Sequence, residues 1–177
     1  LETKTKIKVE FFSVTDYSSV VEALSQGKVD MAWLGGLTYV QAKIRSNGNV
    51  EPVIQRVKDS LFTSVFITHV DNEIKILEDL KNKSFSFGSP SSTSGHLMPR
   101  FFLEKQNINP EKYFREIGYS GAHDATIFSV LSKKVSAGAL NSLVWEKFVR
   151  ENPKKAKELI VFYTTPKYYD YNWTIRK

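Results

Sequence analysis

The chain has 177 residues, with 25 Lys and Arg against 19 Asp and Glu, 41% hydrophobic residues, 9 Gly and no Cys. That length suits one ordinary domain or two small lobes, and the composition excludes a large multidomain enzyme, disorder, collagen-like repeats and low complexity. Disulfides, thiolate metal sites and cysteine nucleophiles are excluded too, and no apolar run approaches the ~20 residues of a membrane span.

In chain order, IKVEFFSV (7–14) alternates with period two and predicts a strand, and Thr15-Asp16 then open a helix over YSSVVEALSQG. VDMAWLG (29–35) is a nearly continuous apolar strand, followed by Gly35-Gly36 and a helix over LTYVQAKIRS. VEPVIQRV (50–57) and LFTSVFITHV (61–70) read as strands, the second long enough to leave one sheet and enter another region. A short helical turn at LEDLKNK, a strand at SFSFG (84–88) and a polar turn, SPSSTSG, lead into a helix over HLMPRFFLEKQN. After Asn109-Pro110 the pattern gives a short helix, a strand near REIGYS, a helix over GAHDATIFSVLSKK, a strand at VSAGAL, a helix at LVWEKFVREN and a strand at KELIVFYTTP. Apolar strands alternating with helices indicate an α/β protein with a largely parallel sheet covered on both faces.

One internal echo organises the chain. DYSSVVEALS followed by VDMA can be laid over HDATIFSVLS followed by VSAG, each an apolar helix ending in Leu-Ser, a basic turn and a small-residue strand. This suggests two α/β lobes of similar build with two helix N-termini facing a shared cleft. Positive dipole ends and free N–H groups would gather there, as an anion requires. The formal charge of +6 is scattered, with no long like-charge run, so it reads as a solvated surface that mildly favours small anions rather than as a nucleic-acid groove.

Between a strand and a helix lies Gly88-Ser89-Pro90-Ser91-Ser92-Thr93-Ser94-Gly95, with four hydroxyl residues in a row. Two readings stand: an N-cap with a Ser-rich loop, or a metal-free site for a tetrahedral oxyanion. Neither a Walker loop nor a G-x-S-x-G elbow fits the spacing. His123 is either an anion donor or a surface residue beside a capping Asp124. His96 reads as a first-turn helix residue and His69 as structural. Tyr17 either faces the cleft or packs in the core. Tyr168, Tyr169, Tyr171 and Trp173 surround Asp170, the only carboxylate of that cluster. No nucleophile has a base at useful spacing, and the three separated histidines do not make a zinc site. No catalytic residue, cofactor or metal is expected.

TDYSSVVEALSQGKVDMAWLGGLTYV, SVFITHVDNEIKILEDLKNKSFSFGSPSSTSGHLMPR, YSGAHDATIFSVL and TTPKYYDYNWTIRK, in this order along nearly the whole chain, resemble the phosphonate-binding, PhnD-like family of ABC-transporter substrate-binding proteins. The resemblance implies a type II periplasmic-binding-protein fold, with two α/β lobes joined by crossing hinge strands and ligand captured as the lobes close. Residues 1–70 would form a partial first lobe, 71–166 the second and 167–177 the hinge return. Ser92, Thr93 and Ser94 would bind phosphonate oxygens, Tyr17 and His123 would complete the oxyanion pocket, and Asp170 matches the family's hinge carboxylate. Phe62 falls where a pocket Tyr is common, so a hydroxyl contact would be lost there.

Members that bind an aminoalkyl phosphonate use a further carboxylate near Asn141-Ser142-Leu143, where this chain has no acid. A smaller ligand is therefore expected: phosphate, phosphite or a short alkyl phosphonate. The implied role is extracytoplasmic or periplasmic capture for a membrane permease, with no nucleic-acid partner and with membrane contact only through that permease or an anchor outside this sequence, such as a lipid. Beginning at Leu and lacking the family's usual first strand and final helices, the chain is expected to be truncated at both ends. The same fold also serves as the ligand-sensing domain of membrane receptor kinases and transcription regulators, which is the alternative role.

Overall fold

A computed structural model describes residues 2–177. It contains two sheets, each flanked by helices, in the two-lobed arrangement expected. After a helical turn, α1 (Glu2–Thr5), the first lobe is built from α2 (Tyr17–Ser25), β1 (Met31–Leu34), α3 (Gly36–Arg45), β2 (Val50–Ile54) and the final strand β8 (Asn172–Arg176). The strand order is β1-β8-β2, and β8 is antiparallel to both neighbours. Asp16 starts α2 by accepting from Ser19 N at 2.8 Å. The apolar positions of α2 then place Val21 and Leu24 against Ala32, Leu34, Ala42 and Val50. Pro52, which has no N–H to donate, lies on the edge strand β2 beside a register shift, where its missing bond is tolerated.

The alternating segment 7–14 is not a strand. Its side chains are exposed, Phe11 at 93% and Ile7 at 67%, and Val9 N donates to the Glu2 side chain instead of to a neighbouring strand. Period-two alternation supplies a suitable face, but a strand exists only with a hydrogen-bonded partner. None pairs with this segment among the described residues.

The second lobe contains β3 (Ser64–His69), β4 (Ser84–Phe87), α4 (Met98–Lys105), α5 (Pro110–Tyr113), β5 (Glu116–Tyr119), α6 (His123–Leu131), β6 (Ala137–Asn141), α7 (Ser142–Glu151), α8 (Pro153–Ala156) and β7 (Leu159–Thr164). Its sheet runs β5-β4-β6-β3-β7, so β3, expected within a first lobe of residues 1–70, belongs to the second lobe, because the chain has already crossed when its pairing with β6 and β7 begins at Ser64. β5, β4 and β6 are mutually parallel, and β3 is antiparallel to β6 and β7. Every residue of β3, β4 and β6 is buried, because helices cover both faces of this sheet. Side chains alternate across it: Phe66 joins Phe85, Phe87, Leu103 and Phe114 on one face, while Val65 and Ile67 join Ile127, Val130, Leu140 and Phe148 on the other. Gly138 in β6 lets α6 approach closely, since a Cβ there would lie 2.6 Å from Thr126 Cγ2 and 3.0 Å from Ser86 O.

Two extended segments connect the lobes and pair with each other. Phe62 and Tyr168 exchange backbone hydrogen bonds of 2.9 Å, and Asp170 N donates to Asp59 O at 2.9 Å. The carboxylate of Asp59 is fully buried and takes a forked pair of bonds from Arg56, at 2.5 and 2.7 Å. This fork meets both carboxylate oxygens, as a charge removed from water requires. The Arg56 guanidinium lies 4.4 Å from the centre of the Trp33 ring, which itself stacks on Tyr171 at 5.6 Å.

Candidate functional site

The Ser-rich turn is folded onto itself. Gly88 N donates to Gly95 O at 2.8 Å, and Ser92 N closes a turn on Ser89 O at 2.9 Å. A π-helical turn, Thr93–Leu97, follows and runs into α4. Ser92 caps it, its Oγ accepting from Gly95 N at 2.9 Å. The capping reading therefore describes Ser92, but not its two neighbours.

Thr93 and Ser94 face the first lobe and the hinge. Thr93 Oγ1 accepts from Leu37 N at 2.9 Å, and Asp170 Oδ1 accepts from Gly36 N at 3.2 Å, so both occupy the free N–H groups that open α3. Gly35 permits this approach: a Cβ there would lie 2.9 Å from Thr93 Oγ1 and 3.0 Å from Asp170 Oδ1. Ser94 and Asp170 are buried, and Ser94 Oγ and Asp170 Oδ2 have no hydrogen-bond partner. Burial pushes the Asp170 carboxyl up to about 6, against the opposing pull of the Gly36 N–H and of the nearby Thr93 and Ser94 hydroxyls.

The N-termini of α2 and α6, the two helices of the internal echo, meet here. Tyr17 Oη and His123 Nε2 are 3.2 Å apart across the lobes. The His123 ring lies against Gly95, and its Nδ1 accepts a long, 3.4 Å bond from Asn141 N. With Nδ1 facing a backbone N–H, the imidazole proton belongs on Nε2. Burial lowers the imidazolium pKa to about 4, partly offset by Asp124, so the ring is a neutral donor. Nitrogen NMR of the imidazole is expected to report the neutral Nε2–H tautomer from about pH 6 to 8.5; a protonated ring at pH 6 would overturn this assignment. The Tyr17 phenol is also pushed up, mainly by burial and secondarily by Asp170, while the Ser92 hydroxyl pulls the other way.

All seven residues singled out in the sequence fall on this cluster or its wall. Phe62 is buried in the wall, edge-on to Tyr171 at 5.4 Å and packed with Phe102, Tyr168, Met98 and Leu143. Further residues join the cluster, and of these only Ser64 had no signal in the sequence. Asn141 accepts from Leu143 N and Val144 N through Oδ1 and donates from Nδ2 to Tyr171 Oη at 3.1 Å. Ser64 Oγ lies 2.6 Å from Tyr168 Oη and donates to Ser94 O at 2.7 Å, bracing Ser94 from below. Period two was a usable signal in the return segment: Tyr168 and Asp170 point inward, whereas Tyr169 is 73% exposed. No group of three or more His, Asp or Glu is placed to hold a metal among the described residues. Two open grooves lie at the surface, about 510 Å³ along Phe12, Asp16 and Arg45 and about 400 Å³ along Tyr39, Ile54 and Tyr169, the second reaching Gly36 and Asp170. Ser94 and His123 line neither.

Residues 1–177 match the family model described as the periplasmic phosphonate substrate-binding protein of ABC transporters. The chain belongs to this family. It is 39% identical over 181 residues to a probable ABC transporter phosphite binding protein, PhnD1, of Prochlorococcus marinus (strain MIT 9301), covering 98% of this chain and 60% of that one. The phosphonates-binding periplasmic protein of Escherichia coli K12 is 32% identical over 172 residues, covering 94% of this chain and 50% of the relative. The chain thus spans only 50 to 60% of the length of these relatives. Among solved structures, that of the P. marinus protein in complex with methylphosphonate superposes with a TM-score of 0.91 at 37% identity, covering 99% of this chain and 66% of that one. The binding component of a phosphonate transporter from Pseudomonas aeruginosa gives 0.84 at 27% identity, covering 99% and 60%. The fold is thus that of type II periplasmic binding proteins.

Proposed function

We propose that this chain captures a phosphonate or related phosphorus oxyanion between its lobes, outside the cytoplasm, for an ABC-type uptake system, and that it does so without catalysis. The observation that carries this reading is the pair of buried, unpartnered oxygens, Ser94 Oγ and Asp170 Oδ2. Buried polar atoms are almost always paired, so an orphaned donor and acceptor at one point suit a ligand that presents both. Ser94, Tyr17 and His123 are neutral donors for phosphoryl oxygens, each such charge-assisted bond contributing about 1.5–3 kcal/mol. Asp170 disfavours a bare dianion but accepts from an oxygen that keeps its proton, so a singly protonated ligand suits the site.

The substituent on phosphorus would meet Phe62, Leu143 and Tyr171, which pack in one cluster. This wall has no carboxylate for an ammonium tail, which favours phosphite or methylphosphonate over aminoethylphosphonate. Thermal unfolding against these three, phosphate and sulfate tests the reading, because a ligand at about 100 times its Kd adds roughly 2.7 kcal/mol of stability. A shift with phosphite or methylphosphonate is expected. An equal shift with sulfate would overturn the protonated-ligand argument, and an unchanged midpoint with every phosphorus oxyanion would overturn the capture reading.

A further inference from the structure

We propose that His96, which lies behind the Ser-rich turn and outside the cleft, is a positioning residue that sets the backbone orientation of the oxyanion turn. The inference rests on the capture reading for its functional consequence, but its structural content stands by itself. In the turn Ser89-Pro90-Ser91-Ser92, Pro90 occupies the second position, and the peptide joining Pro90 to Ser91 is the one that faces opposite ways in the two commonest turn types. That peptide is held at both ends. His96 Nδ1 lies 2.8 Å from Pro90 O, and Ser91 N donates to Ser89 Oγ at 3.3 Å.

A carbonyl only accepts, so Nδ1 carries the imidazole proton and Nε2 is the acceptor. Donors are placed for it: Arg100 Nε at 3.1 Å and Tyr119 Oη at 3.2 Å. Arg100 is fixed in turn by Glu111 at 2.6 Å, and its guanidinium lies over the Phe87 ring at 5.3 Å. Phe87 and Tyr119 also contact the imidazole edge-on, with centroids 5.1 and 5.0 Å away. Side chains from β4, β5, α4 and α5 therefore fix one tautomer and one ring plane. Burial, and after it the neighbouring Arg100 charge, lowers the His96 pKa against the opposing pull of the Pro90 carbonyl.

The consequence reaches the cleft within four residues. Pro90–Ser91 leads directly into Ser92, whose Oγ caps Gly95 N and whose carbonyl accepts from Leu97 N at 3.0 Å. These bonds aim Ser94 Oγ at Asp170. Releasing Pro90 O removes one of the two bonds that hold this peptide and loosens the cap that directs Ser94.

The test compares His96→Ala with His96→Asn, whose side-chain amide nitrogen can take the place of Nδ1. In the ligand-free protein, amide hydrogen exchange at Ser92 and Gly95 is expected to accelerate in the Ala variant and to stay near the parent rate in the Asn variant. Calorimetric titration with methylphosphonate is expected to show about tenfold weaker binding for Ala and recovery to within about threefold for Asn, the effect of losing and regaining one hydrogen bond's worth of orientation. Unchanged exchange at both amides in His96→Ala, or an Asn variant no better than Ala in both measurements, would overturn the proposal. Ser94→Ala separates the two ideas: if it too leaves affinity unchanged, the capture reading fails, and the exchange data alone decide the role of His96.

Discussion

Removing the Thr93 and Ser94 hydroxyls together, Thr93→Ala with Ser94→Ala, is expected to weaken methylphosphonate binding at least roughly tenfold, and the two residues contribute for different reasons. Ser94 Oγ is buried without a partner, so its loss removes a ligand bond and leaves no protein group unsatisfied. Thr93 Oγ1 is occupied by Leu37 N, so its loss leaves an α3 N–H unpaired where the lobes touch and acts on closure instead of on contact. Both single variants should therefore act mainly by speeding release, Ser94→Ala through a lost ligand bond and Thr93→Val through looser closure, while Thr93→Ser, which keeps the oxygen, should be close to the parent. Titration calorimetry with stopped-flow release measures both; an affinity unchanged in the double variant would remove the Ser-rich turn from the binding site.

Asp170→Asn is expected to stabilise the ligand-free protein at pH 8, by up to about 3 kcal/mol, and to have little effect at pH 4. The native carboxyl has a pKa raised from 3.8 to about 6, chiefly by burial, so between these values the native state holds a proton that the unfolded chain has released. Stability conferred by the protonated form is present below about pH 4 and is lost as pH rises through 6, after which the full cost of the buried anion persists. Asparagine keeps an oxygen for Gly36 N and carries no charge. His123 titrates in the opposite sense: its lowered pKa means that stability falls as pH drops from 6.5 toward 4. That titration is common to both proteins and cancels in their difference. Urea unfolding at the two pH values measures the effect, and equal stability at pH 8 would mean that the orphaned Oδ2 costs the fold nothing. The same substitution should flatten the pH dependence of methylphosphonate binding near pH 6, since the group that selects a protonated oxygen is gone.

A buried carboxylate with an unpartnered oxygen among small hydroxyl side chains is what the capture reading expects. An apolar residue or an amide would serve the hinge better if stability alone were at stake. Asp59 offers the contrast within the same hinge. It is more deeply buried than Asp170, but Arg56 meets both of its oxygens, so it stands as a satisfied structural ion pair and Asp170 does not.

Much of the architecture was legible in the sequence because its causes are local. The continuous apolar run SVFITH is satisfied inside a sheet covered on both faces, whereas β1 within VDMAWLG is buried on one face of an antiparallel sheet; Asp16 and Asn109 cap the helices that follow them, and the two DYSSVVEALS-like segments repeat one helix–turn–strand unit. The hydroxyl run between Gly88 and Gly95 likewise announced itself by composition. Tertiary structure decided the rest. Whether 7–14 is a strand depends on a neighbour that no pattern within the segment specifies. Which hydroxyl caps, which bridges and which remains unpartnered was fixed by α3 and the hinge reaching Thr93 and Asp170 from more than fifty residues away. The charge state of His123 and Asp170 also belongs to the fold, because desolvation is a property of surroundings. In sequence, either residue is an ordinary titratable group; when the lobes meet, burial leaves one a neutral donor and the other a reluctant anion.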